Sequence, residues 1–183
     1  MSKDRALDFA KRLNEKYTDN LNIPILGGFQ QIKNPGTLFT AVSNEGYVEQ
    51  FITDGKLLDG EDFDSRLTKV LDNTKKGMRD ARLTNPDNNL KFHKKYSANG
   101  LDFVVYIQDN LMNVNKKDRI IRQFNIYFLE PKSTGFHLLT VSTPPIELPN
   151  DNIIIGKIDL VNDKITNSLD NTVTDIMNHI TYK

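Results

Sequence analysis

Between Leu90 and Thr143 apolar and polar residues alternate in four successive runs separated by turn-forming residues. In the first run Leu90, Phe92, Lys94 and Tyr96 alternate with Lys91, His93, Lys95 and Ser97, the period of two expected of a half-buried strand. Asn99-Gly100 supplies the two positive-φ residues of a tight hairpin turn, and the return strand is Leu101 to Gln108. Pairing Ala98 with Leu101 puts Phe92 opposite Ile107 and Tyr96 opposite Phe103 on a core-facing side. It puts His93 opposite Tyr106 and Ser97 opposite Asp102 on the other. A second hairpin is predicted from Arg119–Leu129 and Phe136–Thr143, across Glu130-Pro131-Lys132-Ser133-Thr134-Gly135. Phe124, Ile126 and Phe128 lie on one face of it, Tyr127 and Leu129 on the other, with Leu138 opposed in facing to Leu139 and Val141. A strand apolar on both faces needs cover on both, so this hairpin belongs in the middle of a sheet and the Leu90 hairpin nearer an edge. Pro144-Pro145 ends the ladder, because proline has no N–H to donate.

The rest of the chain supplies the cover. Ala6, Phe9, Ala10, Leu13 and Tyr17 recur at helical spacing behind Ser2 as N-cap. A longer helix is predicted over 61–81 after Asp59-Gly60, with Phe63, Leu67, Val70, Leu71, Thr74, Met78 and Ala81 as its buried stripe, acids early and bases late. Asn85-Pro86-Asp87 ends it. Ile165, Leu169, Val173, Ile176, Met177 and Ile180 mark a last helix over 163–180. Leu38–Ser43 and Tyr47–Thr53 make a hairpin around Asn44-Glu45-Gly46, with Tyr47, Glu49 and Phe51 opposite in facing to Val48, Gln50 and Ile52. Gly27-Gly28 reads as a bend into the first strand, since neither G-x-x-x-x-G-K-[ST] nor G-x-G-x-x-G surrounds it. Asp109 to Asp118 reads as a polar hairpin loop carrying Lys116 and Lys117, its interspersed Leu111, Met112 and Val114 making a contact tip. Ile153–Ile155 reads as a short edge strand.

The fold class is therefore α+β, a meander of antiparallel hairpins with helices packed on it. The 183 residues suit one domain: an N-terminal helix in 1–20, the sheet with its central helix in 37–160, and a C-terminal helix in 161–183. Composition then removes functions. There are no cysteines, which excludes disulfides, thiol nucleophiles and thiolate metal sites. The 24 basic and 24 acidic residues balance, so no overall field draws the chain to nucleic acid, and no apolar run is long enough to span a bilayer. The start, Met1-Ser2-Lys3-Asp4-Arg5, has no leader pattern; the expected location is cytoplasmic as written, or extracytoplasmic if a leader or lipid anchor was trimmed.

The element order runs from Ile23-Pro24 through a hairpin, a long helix, a four-strand meander ending in Leu139-Thr140-Val141-Ser142-Thr143-Pro144, and a C-terminal helix. It resembles the PsbP-like families: the extrinsic photosystem II subunit, the Mog-type Ran-binding protein, and bacterial DcrB-like relatives that include adaptor chaperones for secreted effectors. The resemblance implies an α/β/α sandwich around an antiparallel sheet, and a binding role instead of catalysis.

No complete catalytic set accompanies this scaffold. The three histidines, His93, His137 and His179, stand on different elements, and no second histidine sits at metal-ligand spacing from any of them. No nucleophile elbow G-x-S-x-G occurs, and the loop aspartates lack the alternation of a calcium loop. His137, between Phe136 and Leu138, reads as a hydrogen-bonded sheet residue. The sequence thus predicts no catalytic residue, no metal, no cofactor and no nucleic-acid partner. It predicts a non-catalytic module that binds another protein: an adaptor, a secretion-associated chaperone or an immunity-like protein. The expected contact surface is Lys91, His93 and Lys95 with Val104, Tyr106 and Gln108 on one sheet face, basic and amphipathic, meeting a partner with acidic groups. Two alternatives stay open. One is a small-ligand or metal-dependent enzyme using His93, Asp102 and Tyr106; the other is a cell-envelope lipoprotein domain whose leader was removed.

Overall fold

The computed structural model describes residues 21–25, 27–33, 39–43, 46–52, 61–80, 89–130, 135–144, 146–147 and 164–182. The expected N-terminal helix, the Asn85-Pro86 linker and the Ile153–Ile155 strand lie outside these residues. The described strands, in chain order, are β1 (Leu21–Asn22), β2 (Gln30–Ile32), β3 (Phe39–Ser43), β4 (Gly46–Ile52), β5 (Leu90–Ala98), β6 (Leu101–Val114), β7 (Lys117–Leu129), β8 (Phe136–Ser142), β9 (Ile146–Glu147) and β10 (Thr181–Tyr182). The helices are α1 (Phe63–Asp80) and α2 (Lys164–His179).

Strands β2 to β8 form one antiparallel sheet in the order β2-β3-β4-β8-β7-β6-β5, with β9 added alongside β7. The β7–β8 hairpin is central and β5 is at an edge, as the two-faced apolar pattern requires. A helix covers each face. Leu169, Val173, Ile176, Met177 and Ile180, the stripe of α2, pack with Val48, Leu101, Phe103, Val105, Ile107, Phe124, Ile126, Phe128, Leu139 and Val141. Leu67 and Val70 of α1, flanked by Phe63 and Leu71, pack with Val104, Tyr127 and Phe136 on the opposite face. The result is an α/β/α sandwich. Helix α1 starts two residues later than the pattern suggested: Asp62 is the N-cap, its Oδ1 accepting the Ser65 amide at 2.7 Å. That bond holds the Asp62 carboxyl below its usual range. Glu61 instead reaches forward to Arg66 and Lys69 at 2.8 and 2.9 Å.

Three expectations are corrected. The polar loop over 109–118 does not exist; β6 runs to Val114 and β7 begins at Lys117, joined by Asn115-Lys116 with φ of 54° and 64°. Both turn residues are left-handed, the geometry that matches hairpin twist. Strand β8 ends at Ser142, yet the ladder does not stop there, because Ile146-Glu147 returns as β9 against Arg119 and Ile120. In the first hairpin, Lys94–Ala98 pair as expected, but a bulge follows: Lys94 pairs with Val105, Phe92 with Tyr106, and Phe92 does not face Ile107. His93 is the extra residue, and an inserted residue reverses the facing of everything before it.

The end of the α2-side core holds a buried polar pair. His137, stacked on Phe128 at 5.2 Å between ring centroids, lies 3.3 Å from Glu130 through Nε2, so it is the hydrogen-bonded sheet residue that the pattern suggested. Burial pushes the His137 imidazole below its usual value, and the Glu130 bond and charge only partly oppose this. The unfolded chain therefore takes up a proton near pH 6.5, before the folded protein does, and acid draws the equilibrium toward unfolding. Stability is expected to fall as pH drops below 6.5, until the lowered folded value is passed. His137→Asn should flatten that part of the curve, read by urea denaturation across pH. A second prediction concerns Gly46, whose φ is 152° and where a Cβ would stand 1.9 Å from the Ser142 carbonyl oxygen on β8. Gly46→Ala is expected to cost about 2 kcal/mol or more, because backbone, not a pliable side chain, is in the way.

Candidate functional site

The bulge decides which side chains meet. His93 and Lys94 both turn to the α2 face, where His93 Nε2 lies 2.8 Å from Asp170 Oδ1 and Lys94 Nζ lies 3.1 Å from the same oxygen. Lys94 also donates to Thr174 Oγ1 at 2.8 Å, and the His93 ring sits edge-on to Phe124. Further along, the Tyr96 hydroxyl donates to Asn178 Oδ1. The Asn99 amide donates to the Asn178 and Ile180 carbonyls at 2.7 and 3.0 Å. At the other end Arg122 grips Asp109 with two bonds, at 2.8 and 2.9 Å, and donates to Thr166 at 2.7 Å. Thr166, Asp170, Thr174 and Asn178 recur every four residues, so one edge of α2 is a polar seam fastened to the sheet.

On the opposite, α1 side, the β5–β6 hairpin presents three rungs: Phe92 with Tyr106, Lys95 with Val104, and Ser97 with Asp102. Phe92 is 51% exposed, and it leans edge-on against Tyr106 at 5.7 Å. From there a row of rings crosses the sheet: Tyr106 to Tyr127 at 6.2 Å, Tyr127 to Phe136 at 6.1 Å, and Phe136 to Phe63 of α1 at 5.5 Å. One end of the row is core and the other is surface. Burial pushes the Tyr127 hydroxyl far above its usual value, so it stays a phenol. Beyond Tyr106 the face turns polar, where Gln108, Asn110, Gln123 and Asn125 bond to one another at 2.7 to 2.9 Å. At the other end, a cleft of about 430 Å³ opens between the hairpin and the start of α1, with Phe63, Asp64, Lys95, Ser97, Asp102 and Val104 in its wall.

The six residues expected to form one surface are divided by this arrangement. Lys95, Val104, Tyr106 and Gln108 share the α1-side face, with Val104 and Gln108 buried in it. Lys91 pairs with Ile107 on the α2 side, and His93 is tied to Asp170 there. Phe92, which the alternation assigned to the core, takes the outward place. The same inversion separates His93 from Asp102 and Tyr106, so the trio considered for an enzyme is not brought together. Asp102 instead accepts a bond from Ser97. Among the described residues no group of three histidine or acidic side chains is arranged to hold a metal, and no helix is long and apolar enough to cross a membrane.

The α2 seam carries its own pH dependence. Burial alone would raise the Asp170 carboxyl, but hydrogen bonds from His93 and Lys94 and their charges outweigh it and leave it below 3.8. A depressed carboxylate stabilises the fold above its unfolded value, and that contribution is lost as pH falls through the folded one. Asp170→Asn is therefore expected to cost about 1 kcal/mol at neutral pH. The difference from the parent protein should shrink below about pH 4, which denaturation at two pH values would show.

No protein-family model matches the chain, and no curated protein matches it. Among solved structures it is similar to LpqN of Mycobacterium tuberculosis, a protein involved in cell envelope biogenesis. The identity is 12%, over 88% of this chain and 82% of that one, with a TM-score of 0.47. It is also similar to PA94 of Pseudomonas aeruginosa, a protein of unknown function, at 14% identity over 89% of this chain and 83% of that one, with a TM-score of 0.36. Neither likeness is close enough to bear on function, and the architecture stands on the strand order and the two covered faces.

Proposed function

We propose that this chain is a non-catalytic protein-binding module, of the adaptor or secretion-associated chaperone kind, whose contact surface is the α1-side face of the β5–β6 hairpin. The observation that carries this reading is Phe92: a large ring on an edge strand, turned outward by the His93 bulge and backed by Tyr106. Aromatic rings are what interface centres are enriched in, and the exposed Lys95 one rung away suits the polar rim around such a centre. The element order of the PsbP-like families, a sheet with helices on both faces and a meander ending in Ser142-Thr143-Pro144, supports the same class of role. An enzyme reading has less to stand on, because its three residues lie on opposite faces.

Placing the photoreactive amino acid p-benzoylphenylalanine at position 92 in cells of the native source tests the reading. Ile25, equally exposed at 52%, provides the control position. The expected result is a discrete adduct from position 92 that is missing from position 25. The same adducts from both positions, or none from either, would overturn the assignment.

A further inference from the structure

We infer that the cleft between α1 and the β5–β6 hairpin receives a short extended segment of the partner in which a large apolar residue stands next to an arginine or lysine. This rests on the reading of the chain as a protein-binding module and gives the chemistry of what it binds.

The volume, about 430 Å³, lies in the range of roughly 300–1,000 Å³ used by small binding sites, enough for one large side chain and its neighbours. Phe63, Val104 and Leu129 line it with apolar surface, and Phe63 is held in place by its ring contact with Phe136. That selects an apolar anchor. The charges around it select the neighbour. Of the three acids at the start of α1, Glu61 is engaged by Arg66 and Lys69 and Asp62 by the Ser65 amide. Asp64 has no ion pair among the described residues and stands in the cleft wall. Asp102, also in the wall, is bonded among the described residues only to the Ser97 hydroxyl, which leaves carboxylate lone pairs for a cation. Asp64, Asp102 and Glu130 all line the wall, the last engaged by His137, and Lys95 is the one lysine or arginine there among the described residues, so carboxylates outnumber the ammonium and the net field favours a positive group. A guanidinium can bridge a carboxylate with two parallel bonds, which makes arginine the stronger of the two choices.

The test uses the full chain, labelled with nitrogen-15, and three blocked hexapeptides of otherwise glycine and serine: one carrying Leu-Arg, one Leu-Glu and one Ser-Arg. Leu-Arg should shift the amide signals of residues 63–64, 95–97 and 102–104, and each of the other two should bind about tenfold more weakly. The double variant Asp64→Asn, Asp102→Asn should lose the preference for Leu-Arg over Leu-Glu while keeping its spectrum dispersed. Equal binding of Leu-Arg and Leu-Glu, stronger binding of Leu-Glu through Lys95, or shifts that avoid the cleft would overturn the inference. If no peptide perturbs the cleft while position 92 still yields its discrete adduct, the cleft assignment fails and the binding-module reading stands. Failure of both would remove the two together.

Discussion

The ion pair between Asp170 and the His93–Lys94 bulge fixes more of this molecule than its modest strength suggests. An apolar stripe holds a helix on a sheet but resists sliding and rotation poorly, since one leucine contact resembles the next. Asp170 accepts from two successive residues of β5 at 2.8 and 3.1 Å, which neither a one-residue slip nor a turn of α2 could preserve. Arg122 above it and Asn178 below it extend the same seam along the helix. Each bond contributes on the order of 1 kcal/mol, less than one buried phenylalanine, yet together they select a single docking position.

The same bulge creates the outward face. With His93 inserted, Lys94, Tyr96 and Ala98 keep their places on the α2 side while Phe92 changes sides. The aromatic row then runs unbroken from Phe63 of α1 to Phe92 at the sheet edge. A rigid, well-packed base thus carries an exposed ring, and a preorganised anchor loses little entropy on binding. Edge strands invite unwanted pairing, and Lys91, Lys94 and Lys95, together with the bulge itself, blunt this one.

Much of the sheet was legible in the sequence because period-two patterns are local and strong. The central place of Phe124–Leu129 followed from apolar residues on both faces, and the hairpin at Asn99-Gly100 from turn chemistry. Both helices followed from spacing alone, whereas the polar seam on α2 was missed, although Thr166, Asp170, Thr174 and Asn178 stand at four-residue spacing beside the apolar stripe. The Asn115-Lys116 turn had a weaker signal, for only the asparagine favours the left-handed region and no glycine follows it. Strands of two residues, such as β1 and its partner β10, are too short to have a period. The bulge left no mark: no glycine or proline stands near it, and what holds it, Asp170, lies 77 residues away. The division of the expected surface follows from that one inserted residue, which sent His93 to the α2 side and Phe92 outward, whereas Val104 and Gln108 keep their face and are buried in it.

The register at that residue is accordingly what a single measurement should examine. In a carbon-13-edited nuclear Overhauser spectrum of the intact protein, the bulged register places the Phe92 ring against Tyr106 and the His93 ring against Phe124, at centroid separations of 5.7 and 5.5 Å. Cross-peaks joining those two pairs are expected. Cross-peaks from Phe92 to Ile107, with His93 close to Tyr106, would mean an unbroken ladder, and would contradict both the α2 seam and the binding face built on it.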